Sequence, residues 1–237
     1  MVTALILAGG IGLRFGGDIP KQYDAVCGRA LIEYCLETVF SCDKIDKVRI
    51  VAAKNWRGKV EKMVSRWDYH NRFAGFSEPG FNRQMSILNG LKDMKGDCGI
   101  KDYVLIHDAA RPFVQQEDLH SLIRAAQGHD GAIPVLPMKD TVYISRDGIS
   151  VSELIDRSVI YAGQSPEIFV YGKYLSANEN LPDIMRINGS TEPAVMAGMD
   201  IVMIPGNERN FKVTTQNDMN IFRSILEKRE IDRGDIR

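Results

Sequence analysis

The sequence predicts an α/β fold with a mostly parallel sheet, and two observations support this. Short apolar, β-branched runs alternate with segments of helical period, which is typical of βαβ units. The runs are continuously apolar, as strands of a parallel sheet buried on both faces should be. Strands are predicted at Val2–Leu7, Val48–Ala53, Tyr103–His107, Gly131–Leu136 and Ile201–Ile204, and helices at Leu31–Phe40, Gly58–Trp67, Arg83–Met94, Gln116–Ala126 and Gln216–Glu230. The charged segment from Ile231 to Arg237 is expected to fray.

The composition is that of a globular domain. The 237 residues are 44% hydrophobic, and no proline-rich linker, low-complexity tract or repeat divides them, so a single domain over 1–237 is expected. A net charge of −1 argues against binding nucleic acid or an anionic membrane through the overall field of the protein. Any anion site must therefore be local.

Cysteine usage and hydropathy favour a cytoplasmic chain. Cys27, Cys35, Cys42 and Cys98 show no CxxC spacing and no histidine at metal-ligand offsets, so reduced thiols are expected and a zinc site is not. The apolar start lacks the basic region of a signal peptide. No stretch approaches the roughly 20 apolar residues of a membrane helix.

A glycine-rich segment follows the first predicted strand. Residues 7–21 read LAGGIGLRFGGDIPK, with five glycines. Glycine lets backbone N–H groups approach phosphate oxygens closely, while Arg14 and Lys21 supply positive charge. The segment lacks the Gly-Lys-Ser/Thr of a Walker A loop, and Phe15 stands at the third glycine position of a dinucleotide fingerprint. An ordinary βα turn is the structural alternative, but the two cations favour a nucleotide site.

Three segments should meet at the carboxyl edge of the sheet, where ligands gather in open α/β folds. They are the glycine-rich segment, His107-Asp108 after the third predicted strand, and residues 137–141 after the fourth. Asp108 suits a magnesium ion, which binds one or two carboxylates together with phosphate oxygens and water. His107 is assigned no chemistry, and Arg111 is equally compatible with a simple ion pair to an acidic neighbour.

Four further residues each have two interpretations. Ser86 fits either contact with a base edge or a helix-start hydroxyl. Thr141 and Arg157 lie at the two ends of a hairpin segment, where arginine suits phosphate binding but a solvated ion pair would look the same. Lys212 places a cation before a Thr-Thr pair that suits the start of the terminal helix, and its role stays open.

Residues 140–161 form this hairpin segment, which we call the arm. Polar and apolar residues alternate around Arg146-Asp147-Gly148, a hairpin-turn signal. An isolated two-stranded ribbon is marginal in water, so its apolar side should pack on its own sheet or on a second subunit. An arm that forms a dimer is the favoured interpretation.

These motifs, in this order, resemble the CTP-dependent polyol-phosphate cytidylyltransferases, the family that contains 2-C-methyl-D-erythritol 4-phosphate and ribitol-5-phosphate cytidylyltransferases. The resemblance covers nearly the whole chain through LAGGIGLRFGGDIPKQY, RQMSILNGL, HDAARPF, PVLPMKDT, DRSVIYAGQSPEIF and NFKVTTQNDM. It implies a Rossmann-like nucleotidyltransferase fold of three layers with a mostly parallel sheet and an inserted β-arm. It also implies CTP as substrate, a Mg²⁺ requirement and a homodimer whose arms cross.

The resemblance further implies a role for each site residue. Catalytic contacts to the reacting phosphates fall to Arg14, Lys21 and Lys212. Ala8, Gly9, Gly10 and Gly12 would hold CTP, with Ser86 near the cytosine and Asp108 contacting the nucleotide or its metal. Thr141 and Arg157 of the neighbouring subunit's arm would hold the polyol phosphate.

The chain departs from the family pattern at two points. Thr191-Glu192-Pro193 stands where Thr-Asp-Asp is usual, and Arg209 stands where an acid is common, which leaves a second metal contact open. LAGG, Tyr143 and the run Tyr161–Gln164 resemble the ribitol branch, while HDAARP and Val213 resemble the erythritol branch. We therefore expect ribitol 5-phosphate or a related capsule or cell-wall polyol phosphate, with 2-C-methyl-D-erythritol 4-phosphate of isoprenoid biosynthesis as the alternative.

Two other classes of function stay open. A nucleotide-binding regulator without turnover is compatible with the departures at Glu192 and Arg209. An oxidoreductase with a dinucleotide cofactor lacks the third glycine of its fingerprint and is disfavoured.

Overall fold

A computed structural model describes residues 1–10 and 19–234, with side chains described as far as residue 229. The strands are β1 (Val2–Leu7), β2 (Ala25–Val26), β3 (Arg29–Ala30), β4 (Lys47–Val51), β5 (Phe73–Ser77), β6 (Tyr103–Asp108), β7 (Gly131–Pro137), β8 (Val142–Ile144), β9 (Glu153–Ile155), β10 (Tyr161–Gly163), β11 (Glu167–Val170) and β12 (Ile201–Pro205). The helices are α1 (Leu31–Ser41), α2 (Lys54–Val64), α3 (Arg83–Asp93), α4 (Gln116–Ala125), α5 (Tyr171–Glu179), α6 (Glu192–Met196) and α7 (Gln216–Gly234). Single 3₁₀ turns lie at Lys21–Tyr23, Arg157–Val159 and Ile184–Arg186.

The main sheet has the strand order β10-β7-β11-β6-β1-β4-β5, with β12 also paired to β7. β1 lies between β4 and β6 and is parallel to both. β11 is antiparallel and separates β6 from β7, with Glu167 opposite Ile106. The five predicted strands are confirmed within two residues at either end, and the parallel core brings their carboxyl ends to one edge.

The sheet is covered on both faces, which explains the continuous apolar runs. In β1, Ala4 and Ile6 pack with α1, α2 and α4, while Leu5 between them packs with α3 and α5 on the other face. Successive strand residues point to opposite faces, so a strand covered twice needs apolar residues at every position. A third cluster joins α7 to the body through Phe222 and Phe113.

The arm forms a small sheet of its own. β8 and β9 pair antiparallel, with Val142 opposite Ile155 and Ile144 opposite Glu153. The predicted turn is confirmed, because Asp147 accepts backbone N–H bonds from residues 149 and 150 and Gly148 has φ +72°. The arm leaves several apolar side chains exposed, namely Tyr143, Ile149, Val151, Leu154 and Val159.

The predicted helices are confirmed, with two differences at their ends. α2 spans Lys54–Val64 rather than Gly58–Trp67. The expectation that the chain frays from Ile231 is wrong as far as Gly234, where α7 ends. Buried Met219 and Phe222 anchor the helix, and each further residue then adds a backbone hydrogen bond at little cost. Within the described part of the chain, no helix has the length and apolar character needed to cross a membrane.

Candidate active site

The candidate site lies at the carboxyl edge of the sheet. β1 delivers Ala8, Gly9 and Gly10 to this edge, and β6 delivers Asp108. The antiparallel β11 begins there, and the segment after β12 brings Lys212 to Asp108. We call residues 8–10 the glycine turn and this edge of the sheet the rim. The structure therefore places the glycine turn, Asp108 and Lys212 at the rim.

The glycine turn is held by the residues that follow Lys21. Gln22 Nε2 donates to the carbonyl oxygens of Ala8 and Gly10, at 2.7 Å in each case. The hydroxyl of Tyr23 donates to the same Ala8 oxygen at 2.8 Å. These hydrogen bonds fix Ala8 and Gly10 at the rim. Gly12 and Arg14, also predicted for this site, lie outside the described residues.

Gly9 has a steric reason to be glycine. A Cβ at this position would lie 2.5 Å from the Cβ of Pro79, whereas one at Gly10 would meet no atom of the described residues within 4 Å. Pro79 belongs to the segment before α3, so Gly9 lets that segment lie against the turn. The glycine pair thus combines a packing requirement at Gly9 with an open backbone at Gly10.

Lys21 opens the 3₁₀ turn Lys21–Tyr23, whose next two side chains anchor the glycine turn. Burial alone would raise the pKa of Asp218 in the first turn of α7, but hydrogen bonds from Thr215 and Thr214 lower it, and the positive charge of Lys21 adds to that lowering. Lys21 is therefore close enough to the start of α7 for its charge to act on Asp218.

Asp108 is the electrostatic centre of the rim. Arg83 Nε donates to one of its carboxylate oxygens at 2.9 Å, and Lys212 Nζ lies 2.8 Å from the other. Burial alone would raise the pKa of Asp108, but the charges of Arg83 and Lys212 hold it well below its usual range. Two cations therefore share one ionised carboxylate, and the group keeps a net positive charge.

The backbone around Asp108 is fastened by a second set of hydrogen bonds. The Asp108 N–H donates to Ser165 Oγ at 3.1 Å, and Asn210 Nδ2 donates to the Ser165 carbonyl at 2.8 Å. Arg111 donates to the Asn210 carbonyl at 2.6 Å, rather than to an acidic side chain. The segment that carries Lys212 is thereby tied to β6 and to the start of β11.

His107 takes no part in the rim surface. It is fully buried, with its ring nitrogens facing Arg111 O at 3.2 Å and Ser165 Oγ at 3.5 Å. Burial lowers its pKa to about 4. A neutral, packed imidazole agrees with assigning it no chemistry.

Glu167 is a buried carboxyl group behind Arg83. The hydroxyl of Ser190 donates to it, and burial raises its pKa, while Arg83 opposes that shift.

Glu192 and Arg209, the two departures from the family pattern, make local contacts. Glu192 accepts from the Asn188 N–H at 2.7 Å, and the Arg209 N–H donates to Asn207 Oδ1 at 3.0 Å.

Ser86 serves the local structure. The N-cap of α3 is Asn82, whose Oδ1 accepts from the Met85 N–H at 2.7 Å. Ser86 Oγ donates to the Asn82 carbonyl and accepts from the Gly80 N–H at 3.0 Å. These bonds shape the segment against Gly9, and contact with a base stays a prediction.

Thr141 and Arg157 are exposed at the two ends of the arm, where Arg157 donates to the Lys139 carbonyl. Among the described residues, the structure shows no hydrogen bond or ion pair from either side chain to Asp108 or Lys212. Within one subunit they are therefore not brought together with the rest of the site.

Arg83 and Gln22 are the site residues that sequence reasoning missed. Arg83 was predicted only as the first residue of a helix, and its partner Asp108 lies 25 residues away. Gln22 stands beside Lys21, where the only signal was its place after the glycine-rich segment.

A cavity of about 860 Å³ lies away from this site, at the opposite edge of the sheet, against α5 and α6.

Comparison with known proteins identifies the family. A family model described as 2-C-methyl-D-erythritol 4-phosphate cytidylyltransferase matches residues 2–228. The chain belongs to this family. A relative of that name from Thermotoga neapolitana is 34% identical over 231 residues, covering 97% of this chain and 99% of the relative. A ribitol-5-phosphate cytidylyltransferase from Lacticaseibacillus paracasei is 28% identical over 243 residues, covering 98% of this chain and all of the relative.

Solved structures agree with this assignment. The 4-diphosphocytidyl-2C-methyl-D-erythritol synthase of Anaerococcus prevotii superposes with a TM-score of 0.81 at 25% identity, covering 95% of this chain and 96% of that one. The predicted family and α/β nucleotidyltransferase fold are confirmed. The chain is a cytidylyltransferase, an enzyme that uses CTP.

Proposed function

We propose that this enzyme transfers CMP from CTP to 2-C-methyl-D-erythritol 4-phosphate and releases pyrophosphate. The family model and the relatives from Thermotoga neapolitana and Geobacter metallireducens, the latter 31% identical over 230 residues, carry that substrate in their names. The comparisons thus favour the alternative of the sequence analysis over ribitol 5-phosphate. The structural observation that carries the proposal is the pairing of Lys212 and Arg83 on Asp108 at the rim of the glycine turn.

The reaction needs positive charge more than it needs a base. A phosphate monoester has a second pKa of about 6, so the attacking phosphate oxygen is already mostly ionised at neutral pH. That oxygen attacks the α-phosphorus of CTP in line, the bond to the β-phosphate oxygen breaks, and pyrophosphate leaves. The obstacle is the approach of one anion to another, which positioned cations relieve.

Asp108 would act by holding Lys212. A lysine side chain is flexible, and fixing its ammonium against a carboxylate keeps its charge directed at the rim. Because Arg83 shares the same carboxylate, Asp108 does not cancel the positive charge it orients. Lys212, Lys21 and Arg14 then become the proposed cations that bind the phosphates and stabilise the charge developing on them.

Magnesium remains a prediction. A Mg²⁺ ion at this rim would use a carboxylate oxygen together with phosphate oxygens and water. Both oxygens of Asp108 are engaged by Arg83 and Lys212, so this arrangement does not present a ready oxygen ligand. We therefore derive no step of the reaction through the metal.

The polyol-phosphate side of the site is proposed to come from a second subunit. Arg157 and Thr141 are exposed on an arm whose apolar residues, among them Tyr143 and Leu154, are exposed as well. Burying such residues against a second copy would stabilise the two-stranded arm and would carry both polar side chains to a neighbouring rim. Leu154→Glu should dissociate this homodimer in sedimentation and raise KM for the polyol phosphate, whereas Met196→Glu, an equally exposed apolar site outside the arm, should do neither.

Ribitol 5-phosphate is the second candidate, because the relative of that name aligns over its whole length. Pyrophosphate release should be measured with CTP and each phosphate, with the CDP-polyol identified by mass. We expect kcat/KM at least tenfold higher with 2-C-methyl-D-erythritol 4-phosphate. The opposite order would assign the enzyme to ribitol 5-phosphate, and CTP binding without turnover on either acceptor would favour the regulator.

Lys212→Ala provides the matching test of the site. Removing one preorganised charge should lower kcat about 10²-fold or more. Lys173→Ala is the control, because Lys173 pairs with Asp130 at the opposite edge of the sheet and should leave kcat unchanged. Similar kcat values for the two variants would contradict the role proposed for Lys212.

A further inference from the structure

A group of three potential metal ligands lies between α1 and α4, outside the rim. Cys42 and Asp43 directly follow α1, and His120 lies in α4. The thiol sulfur, one carboxylate oxygen and one ring nitrogen all lie within 4.8 Å of one another. His120 stands 77 positions after Asp43, so the fold brings together ligands that sequence spacing cannot reveal.

Cys42 contributes a buried and positioned thiol. The residue is 0% exposed, and the backbone N–H groups of Lys44 and Ile45 donate hydrogen bonds to its sulfur. Its backbone is held on both sides, since its N–H donates to the Val39 carbonyl at 3.3 Å and its own carbonyl accepts from Arg72 at 2.7 Å. These contacts fix the sulfur beside Asp43 and His120, and N–H groups bonded to the sulfur would also stabilise a thiolate bound to a metal.

Asp43 and His120 complete the group on its solvent side. His120 Nε2 lies 2.9 Å from Asp43 Oδ1, while Lys44 contacts the other oxygen, Oδ2, at 3.2 Å. Their side chains are 29% and 66% exposed for His120 and Asp43 respectively. The oxygen and nitrogen that face each other are thus accessible to an ion from solvent, with the thiol behind them.

We propose that Cys42, Asp43 and His120 bind a Zn²⁺ ion, with water as the fourth ligand. Thiolate, imidazole and carboxylate are the ligands that zinc takes in proteins, at about 2.0–2.3 Å from the metal in a tetrahedral arrangement. Donor atoms of such a site lie roughly 3–4 Å apart, so the observed group needs adjustments of less than about 1 Å. On binding, the thiol of Cys42 gives its proton to solvent, and the Nε2 proton of His120 passes through solvent to Nδ1, so that bonds to the metal replace the hydrogen bond between His120 and Asp43.

The ion would have a structural role. Cys42 ends α1 just before β4 begins, which places it at the amino edge of the sheet, opposite the rim that carries Asp108. Zinc would link the end of α1 to the exposed side of α4, and so stabilise the helix layer on that face. The prediction from sequence spacing that this chain has no zinc site is thereby replaced by a proposal that rests on the fold.

Cobalt titration of the full chain, stripped of metal with a chelator, tests the site. Co²⁺ bound by a thiolate gives a sulfur-to-metal charge-transfer band in the near ultraviolet, which exposed His–Asp pairs do not produce. We expect one equivalent of Co²⁺ with this band, displaced by Zn²⁺. Cys42→Ser should abolish the band, and His120→Gln should weaken Zn²⁺ binding at least tenfold while pyrophosphate release stays unchanged.

Two controls separate the site from general metal binding. His129→Gln changes an exposed histidine that pairs with Asp200 at 2.8 Å but has no thiol beside it, and Cys98→Ser removes a thiol elsewhere. Neither control substitution should alter the charge-transfer band.

Zn²⁺ should also raise the Tm of the wild type by several degrees and leave the Tm of His120→Gln unchanged. No thiolate band in the wild type, or a band that survives Cys42→Ser, would overturn the proposal.

Discussion

Replacing Asp108 by Asn tests the electrostatic centre of the rim most directly. The change keeps the shape of the side chain and removes the charge shared by Arg83 and Lys212. Asn can accept from one of the two donors but presents an N–H₂ group to the other, so one cation loses its partner. Breaking a buried ion pair costs about 3–5 kcal/mol in the free energy of unfolding.

The expected cost here is smaller, because the two cations are not fully buried. The side chains of Arg83 and Lys212 are 32% and 38% exposed, and water offsets part of the lost interaction. We expect Asp108→Asn to lower the free energy of unfolding by about 2–3 kcal/mol, which for a chain of this size lowers Tm by roughly 4–12 °C. Released from its carboxylate, Lys212 should also support catalysis poorly, and kcat should fall with it.

Asp97 offers a matched control, because it too is shared by a lysine and an arginine. Lys47 and Arg49 lie 3.0 and 3.4 Å from its two oxygens, but the Asp97 side chain is 42% exposed. Asp97→Asn should therefore cost less than about 1 kcal/mol and leave kcat unchanged. Both variants and the wild type should be compared by thermal denaturation and by pyrophosphate release at neutral pH.

The same comparison has a pH dependence with a defined sign. The folded-state pKa of Asp108 is depressed, so its ionised form contributes stability above the unfolded value of about 3.9, and this contribution is lost as the pH falls towards the folded pKa. The Tm difference between the wild type and Asp108→Asn should narrow below about pH 4. Equal Tm losses in the Asp108 and Asp97 variants would refute the assignment of Asp108 as the buried carboxylate that holds Arg83 and Lys212. A Tm difference between the wild type and Asp108→Asn that widens at low pH would refute it as well.

Three further predictions concern single positions. Lys21→Ala should lower kcat about 10²-fold or more while changing the Kd for CTP much less, as measured by turnover and calorimetry. Gly9→Ala should cost about 1–3 kcal/mol of stability and weaken CTP binding because its Cβ meets Pro79, whereas Gly10→Ala should do little to stability; denaturant unfolding distinguishes them. The pKa of His107 is lowered to about 4, so protonation favours the unfolded state and stability should fall as the pH drops from about 6.5 to 4, less so in His107→Gln.

Much of the fold could be predicted from periodicity, because strands buried on both faces carry a strong local signal. β11 could not, since it has only four residues and their antiparallel direction depends on where the chain re-enters the sheet after the arm and β10. α5 and α6 were missed as well, being short and weakly periodic. The local sequence also could not predict where α7 ends, because the helix is anchored through Phe222, which contacts Phe113 far away in the sequence.

The candidate site also has a part that could be predicted from the sequence and a part that could not. Gly9 and Asp108 were predicted from the residues, since a glycine turn and a strand-end side chain can be recognised one segment at a time, whereas Lys212 was assigned a role only through the family resemblance. The link from Arg83 to Asp108 depends on how α3 packs beside β6, which spacing does not encode. Whether Ser86 shapes a loop or contacts a base also depended on neighbours that only the folded chain brings close.

The place where the arm leaves the sheet has a consequence for how such an enzyme can change in evolution. Because β7 ends and β10 begins at the carboxyl edge, the arm leaves and re-enters the sheet at the same edge that carries Asp108. Its length and sequence can vary without shifting the register of any strand in the core. With the acceptor role proposed for the arm, acceptor preference can diverge there while the strands that carry the glycine turn and Asp108 stay unchanged.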